Sequence, residues 1–319
     1  MSEVAVIGAG AWGTALAVQA ARAGRSVTLW ARDAGRAAAI EESRVNPRLP
    51  GVTLPESIRV TGRLPVAGVT LLAVPLQHLR GVAARLGGGG PLVVCAKGVE
   101  AGTLMLPLEM LAEVQAARPG AVLTGPNFAH EVARGLPAAS VVAGAEAVRQ
   151  AVIAAMATPE FRLYGNDDAI GAQVGGAAKN VIAIAAGVVV GAGLGENARA
   201  ALVTRGLAEM ARLALALGGR AETVAGLSGL GDLLLTCTGT SSRNFSLGFE
   251  LGRGRGLAEV LGERSAVTEG VATAPALAAR AAAAGVMMPI VGAVAAVLRG
   301  AADVRGAIAM LLGRPLRDE

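Results

Sequence analysis

The sequence predicts an α/β fold in two parts: a mostly parallel sheet covered by helices, then an all-helical half. Short apolar runs without polar interruption alternate with amphipathic stretches through the first half. Strands buried on both faces of a parallel sheet, with helices covering them, have that pattern. A G-x-G-x-x-G segment stands between the first such run and the first amphipathic stretch. Beyond residue 170 the strand-like runs stop and long stretches of helical spacing replace them.

Taken in order, residues 4–8 read as a strand, 14–23 as a helix and 26–31 as a second strand. Residues 69–74 and 92–96 are further strands with a helix at 77–86 between them, and 121–124 and 140–143 continue the pattern. The last strand-like run is 161–164. Residues 174–190, 199–217, 244–251, 271–284 and 289–300 then have helical length and spacing, with glycines at 218–219, 252–256 and 285 as breaks. The domain boundary falls near residue 167. An α/β domain at 1–167 and an all-helical domain at 168–319 are therefore expected.

A chain of 319 residues can give each domain a core of its own. The uncharged run 180–195 is too short and too rich in glycine for a membrane span of about 20 residues, so it reads as a buried helix. The N-terminus enters the first strand directly, with no basic and apolar leader, and secretion is not expected. Cys95, Cys237, His78 and His130 have neither disulfide-framework nor metal-ligand spacing, and a reducing cytoplasm is the simplest setting. The net charge of +5 suggests an anionic partner. Arginines are dispersed and aromatic residues make up only 2%, so stacking on bases is not expected. A small anionic molecule accounts for the charge as well as a nucleic acid would. Only two of the 29 basic residues are lysine, Lys97 and Lys179. Lysine, unlike arginine, can lose its proton when its surroundings favour the neutral form.

In Gly8-Ala9-Gly10-Ala11-Trp12-Gly13, Gly8 allows a tight turn and Gly10 a close approach to a pyrophosphate. Gly13 lets the helix pack on the strand, and the helix N-terminus offers N–H groups to phosphate. This context predicts a Rossmann-like dinucleotide-binding domain. The second strand ends in Arg32-Asp33 rather than in the acid that usually holds a ribose 2′-hydroxyl. Arg32 can pair with a 2′-phosphate, which favours NADP(H) with NAD(H) possible. Asp33, one residue later, complicates that choice.

Further segments carry a resemblance. They are Asn46-Pro47-Arg48-Leu49-Pro50, Ala96-Lys97-Gly98, Gly125-Pro126-Asn127-Phe128-Ala129 and Ala178-Lys179-Asn180-Val181. Asn197-Ala198-Arg199, the run Thr204-Arg205-Gly206-Leu207-Ala208-Glu209, Gly229-Leu230-Gly231-Asp232-Leu233, Ser242-Arg243-Asn244 and Glu269-Gly270 follow. With the glycine loop, they make the chain closely resemble the bacterial NAD(P)-dependent glycerol-3-phosphate dehydrogenases from end to end. The resemblance implies reversible reduction of dihydroxyacetone phosphate to sn-glycerol 3-phosphate, the backbone for phospholipid synthesis, and a homodimer. It implies Lys179 as the proton donor and acceptor. Lys97, Gly125 and Asn127 would border the substrate, with Asp232, Ser242, Arg243 and Asn244 contributed by the helical domain. Ala11, Trp12, Arg32, Lys97, Ala129, Arg243, Val267 and Glu269 would contact the cofactor. Neither a metal nor membrane insertion is implied. The chain departs from the family in having Asn127 where Ser or Thr is usual, and Leu76 where a small polar residue is usual.

Hydride transfer leaves negative charge on the substrate oxygen, which a nearby cation stabilises and a proton must quench. Lys179 suits both tasks if apolar surroundings lower its proton affinity toward neutrality, whereas Arg could not release a proton. Lys97 follows a strand whose carboxyl end should face the ligand crevice, and reads as a second positive group. Asp232 could orient the Lys179 ammonium, hold a substrate hydroxyl or cap a helix. Ser242-Arg243-Asn244 suits a phosphate, with a helix cap as the plainer reading. His130 reads as structural and His78 as a surface residue. Two other readings stay open: a two-domain dehydrogenase of the β-hydroxyacid or 6-phosphogluconate type, and a non-catalytic NADP(H) sensor.

Overall fold

The computed structural model describes residues 3–264 and 267–315. By packing, residues up to Lys97 form one compact unit with Pro107–Ala172, and Gly98–Leu106 form a second with the residues from Gln173 onward.

The first unit runs β1 (Val4–Ile7), α1 (Ala11–Arg22), β2 (Val27–Trp30), α2 (Ala34–Ser43), β3 (Ile58–Thr61), β4 (Val69–Leu72), α3 (Leu76–Ala83) and β5 (Leu92–Val94). It continues with α4 (Pro107–Val114), β6 (Gly120–Thr124), α5 (Ala129–Arg134), β7 (Ala138–Gly144), α6 (Glu146–Met156) and β8 (Phe161–Asn166). The strands form one sheet in the order β3-β2-β1-β4-β5-β6-β7-β8. Every neighbouring pair is parallel except β6 with β7, where Thr124 faces Val141. All residues of β1, β2, β4 and β5 are buried. The edge strands β3 and β8 expose part of theirs. The unbroken apolar runs thus lie where both faces are covered.

β1 pairs with β2 on one side and β4 on the other. Connections leave in opposite directions there, which opens a crevice at the strands' carboxyl ends. The glycine loop, Lys97 and Gly125 follow β1, β5 and β6, so all three stand at that same end of the sheet. Because β7 is antiparallel, its first half returns Ser140 to the end where β6 finishes.

The second unit is helical: α7 (Ala169–Gly191), α8 (Glu196–Ala216), α9 (Ala221–Ala225), a π-helical turn (Leu227–Gly231), α10 (Asp232–Cys237), α11 (Arg243–Gly252), α12 (Leu257–Gly262), α13 (Glu269–Ala283), α14 (Pro289–Leu298) and α15 (Val304–Leu312). Helix α7 is long and apolar enough to cross a membrane, but 83% of its most apolar window is buried in the protein, so it is a core helix. It packs on α11 backbone to backbone. A Cβ at Gly187 would meet the Phe245 carbonyl oxygen at 2.0 Å, one at Gly191 that of Phe249 at 2.1 Å, and one at Gly248 that of Ile184 at 1.9 Å. Only glycine permits this approach. Gly175, one turn before Lys179, also lies against the π-helical turn, where a Cβ would meet the Ser228 carbonyl oxygen at 2.5 Å. That contact fixes α7 against the start of α10.

Candidate active site

In the first unit the three loop glycines are required for different reasons. Gly8 has φ +120, and a Cβ there would meet the Ala73 carbonyl oxygen at 2.8 Å. At Gly13 a Cβ would lie 1.9 Å from the Gly8 carbonyl oxygen. Both are demanded by the chain's own packing. At Gly10 a Cβ would meet nothing within 4 Å, and its φ of −79 suits any residue. The bare backbone at Gly10 therefore opens onto space that a ligand can use. Gly10 is also the N-cap of α1, with no side-chain cap and no acid in the first turn, so the N–H groups of Ala11 and Trp12 suit a pyrophosphate. The residues present fit a dinucleotide.

At the end of β2, Arg32 is exposed. Asp33 is the N-cap of α2, accepting the Arg36 backbone N–H at 2.6 Å. One oxygen of its carboxylate thus serves the helix.

Lys97 Nζ donates to the Gly125 carbonyl at 3.3 Å, bringing together the ends of β5 and β6. Gly125 has φ +147, and a Cβ there would press on the Ser140 Cα at 3.0 Å. Asn127 Nδ2 donates to Ser140 Oγ at 2.6 Å and to the Ala139 carbonyl at 3.3 Å. A carbonyl only accepts, so the amide orientation is fixed. Asn127 Oδ1 is sealed from solvent without a partner among the described residues. The amide therefore spans the place of a shorter hydroxyl and anchors to β7. Leu76, the other departure, opens α3 and is buried. Ala129 begins α5. His130 is half exposed and stacks on Phe128 with ring centroids 5.8 Å apart, and His78 is exposed on α3.

In the second unit Lys179 Nζ donates to Asp232 Oδ1 at 2.7 Å and to Thr236 Oγ1 at 2.9 Å. The Lys179 side chain is 11% exposed and that of Asp232 1%. Asp232 is the first residue of α10 and accepts from Lys179, so it orients the ammonium. Thr236 lies one turn further on the same helix and gives its hydrogen to the Asp232 carbonyl at 2.6 Å. It therefore meets Lys179 as an acceptor. The surroundings of Lys179 are not the apolar ones that Gly175-Gly176-Ala177-Ala178 suggest. The polar partners come from another helix, which local sequence does not reveal. Thr236 was not legible as a site residue, although a Thr one turn after Asp on a helix is a signal for it.

Ser242 is the N-cap of α11, accepting the Phe245 N–H at 3.2 Å. Arg243 Nη1 donates to the Val267 carbonyl at 2.7 Å. Asn244 Nδ2 donates to Asn180 Oδ1 at 2.9 Å, and its Oδ1 accepts from the Gly270 N–H at 3.0 Å. Asn180, beside Lys179, is thereby tied to α11 and to the first turn of α13, which Glu269 begins. Burial pushes the thiols of Cys95 and Cys237 up to about 12, so neither is a nucleophile near neutrality. Among the described residues, no cluster of His, Cys, Asp and Glu suited to a metal ion occurs.

Comparison with known proteins adds to this geometry. The family described as NAD-dependent glycerol-3-phosphate dehydrogenase matches with its N-terminal part at residues 3–150 and its C-terminal part at 168–309. The chain is 59% identical to the glycerol-3-phosphate dehydrogenase [NAD(P)+] of Acidiphilium cryptum, over 99% of this chain and 98% of that protein. It is 53% identical to that of Gluconobacter oxydans, over 98% of this chain and 97% of the other. The crystal structure of glycerol-3-phosphate dehydrogenase from Coxiella burnetii superposes with a TM-score of 0.93 at 36% identity, covering 98% of this chain and 99% of that one.

Proposed function

The chain belongs to the NAD-dependent glycerol-3-phosphate dehydrogenase family, and we propose that within it Lys179 moves the proton of the reaction. The enzyme interconverts dihydroxyacetone phosphate and sn-glycerol 3-phosphate with NAD(P)(H). The nicotinamide, when bound, supplies or accepts the hydride. One observation carries the reading of Lys179: it is a buried ammonium held by a carboxylate at 2.7 Å and a hydroxyl at 2.9 Å. An ammonium there carries a positive charge that the carboxylate orients. That charge stabilises the oxygen on which negative charge grows, and the proton leaves only when that oxygen competes for it. In the oxidative direction the neutral amine takes the proton from the substrate hydroxyl, and Asp232 stabilises the ammonium that forms. Thr236 and Asp232 are positioning residues for Lys179.

Lys97, held on the Gly125 carbonyl, serves as a second positive group toward the substrate, with Asn127 beside it. Ser242, Arg243 and Asn244 bind the substrate phosphate. Support for this comes from the helix start they share and from Arg243, which among the described residues commits only one of its nitrogens. Gly8, Gly10, Ala11, Trp12 and Gly13 hold the pyrophosphate, and Arg32 the 2′-phosphate of NADP(H), the preferred cofactor. Ala129, Arg243, Val267 and Glu269 complete the cofactor contacts. The proposal also includes domains at 1–167 and 168–319, a homodimer and a cytoplasmic location; sedimentation of the purified chain tests the dimer.

A panel of carbonyl substrates with NADPH and NADH, followed by loss of reduced-nicotinamide absorbance, tests the activity. Dihydroxyacetone phosphate is the expected substrate. Turnover of a hydroxyacid pair without turnover of the triose phosphate would overturn the assignment.

A further inference from the structure

Asn46 is completely buried, and all four of its amide hydrogen bonds run to the cofactor end of the sheet. Its Nδ2 donates to the Ala9 carbonyl at 3.2 Å and to Thr14 Oγ1 at 2.6 Å. Its Oδ1 accepts from Arg36 Nη2 at 3.1 Å and from the Arg48 backbone N–H at 3.1 Å. Arg36 Nη2 also donates to the Ala9 carbonyl, at 2.8 Å. Ala9 is the residue between the first two glycines of the loop. Its carbonyl is therefore held from behind by two donors. In a planar trans peptide the N–H points opposite to the carbonyl, so this grip turns the Gly10 N–H away from Arg36 and Asn46.

The same amide oxygen gathers two arginines. Burial lowers the proton affinity of Arg36, the nearby Arg48 charge lowers it further, and Asp33, already capping α2, pulls the other way. Among the described residues, Nε and Nη1 of Arg36 and the whole guanidinium of Arg48 engage no acceptor. Arg32, exposed just after β2 and before the Asp33 cap of α2, adds a third cation on the same connection. Asn46 holds the Arg36 guanidinium and the Arg48 backbone on one oxygen, and two guanidinium groups close enough to repel suit an anion of more than one charge.

We propose that Arg36 and Arg48, gathered by Asn46, form with Arg32 the subsite for the 2′-phosphate of NADP(H), and that Arg36 links this subsite to the glycine loop. This rests on the reading of Arg32 and of the loop given above, and extends it to residues on α2 and on the segment after it. Arg48 is the direct ligand, since its side chain is exposed and only its backbone is used in the fold. Arg36 is both ligand and positioning residue, because the guanidinium that faces the anion also grips Ala9.

Calorimetric titration of the full chain with adenosine 2′,5′-bisphosphate and with 5′-AMP tests this without turnover. The wild type should prefer the bisphosphate. Arg48→Ala should weaken the bisphosphate about tenfold, the loss of one charge-assisted contact, and leave 5′-AMP within about twofold. Arg36→Ala should weaken both probes, the bisphosphate more strongly, because loop and anion are lost together. Circular dichroism should show both variants folded. A wild type with no preference would overturn the NADP(H) reading and this subsite together. A wild type that prefers the bisphosphate, with the preference intact in Arg48→Ala, would overturn the subsite and leave Arg32 as the sole reader. Unchanged binding of both probes by Arg36→Ala would remove Arg36 from both roles.

Discussion

Replacing Lys179 by methionine should destabilise the helical unit as well as abolish catalysis. Methionine keeps most of the side-chain volume, so the cavity left behind is small. The charge is lost, however, and the Asp232 carboxylate, 1% exposed, stays behind without it. Breaking a buried ion pair in this way costs roughly 3–5 kcal/mol. Against a total stability of about 5–15 kcal/mol, that is a large fraction. For a unit of this size a loss of about 4 kcal/mol lowers Tm by roughly 8–16 °C. Adding Asp232→Asn should restore at least about 2 kcal/mol, because the buried negative charge facing the lost ammonium disappears. The readout must be far-UV ellipticity on the cofactor-free enzyme. Both tryptophans, Trp12 and Trp30, lie in the first unit, and their fluorescence would follow the wrong part of the chain. A Lys179→Met protein melting within about 2 °C of wild type, or a double variant whose loss is the sum of the singles, would refute the pairing argument.

Lys179→Arg, which retains charge and hydrogen bonding, should bind NADPH nearly as wild type and lose kcat by about 10²–10⁴-fold; stopped-flow binding beside steady-state turnover separates the two. Gly10→Ala should melt near wild type yet bind NADPH poorly, whereas Gly13→Ala should fail to accumulate as folded protein; thermal melts and cofactor titration distinguish these outcomes. Glu209, buried in α8, accepts the Ile290 and Val291 N–H groups at the start of α14. Burial pushes its carboxyl from the ordinary 4.5 up to about 7, against the downward pull of those N–H groups and of Arg212 and Arg314. The folded chain therefore keeps a proton that the unfolded chain releases. This stabilisation is full below about pH 4.5 and is lost as pH rises to about 7, a fall of about 3 kcal/mol. Denaturant melts across that range should show the slope in wild type and not in Glu209→Gln.

The sheet, the glycine loop and the long helices were legible because their signals are local. Unbroken valine and leucine runs mark strands covered on both sides, and helical spacing over 199–217 marks α8. The edge strand β3, Ile58-Arg59-Val60-Thr61, carries only a short alternating signal, too weak to mark a strand. Helices α9, α10 and α12 have five or six residues, too few for a period to repeat. Helix α1 begins at Ala11, three residues before the expected start, because Ala11-Trp12-Gly13 serve the loop rather than an apolar stripe. At the candidate site the residue types are readable, and Asp232 beside Lys179 is one of three roles its sequence allows, but Thr236 and the Asn46 bonds are not readable. Lys179 finds Asp232 53 positions away, and Asn46 reaches back 37 to Ala9. Such bonds depend on tertiary packing, which leaves no periodic trace in the sequence.

The contact of α7 with α11 has a further consequence. Side-chain cores absorb mutation by changing rotamers, but a seam made of backbone on backbone has no rotamers to change. Thermal or mutational stress in the surrounding shell therefore cannot slide Lys179 along its helix axis by small increments. The seam either holds its register or opens. Directed evolution toward bulkier substrates should accordingly find freedom in side chains on the far face of α11. Saturation libraries at Gly187, Gly191 and Gly248 should return glycine and little else.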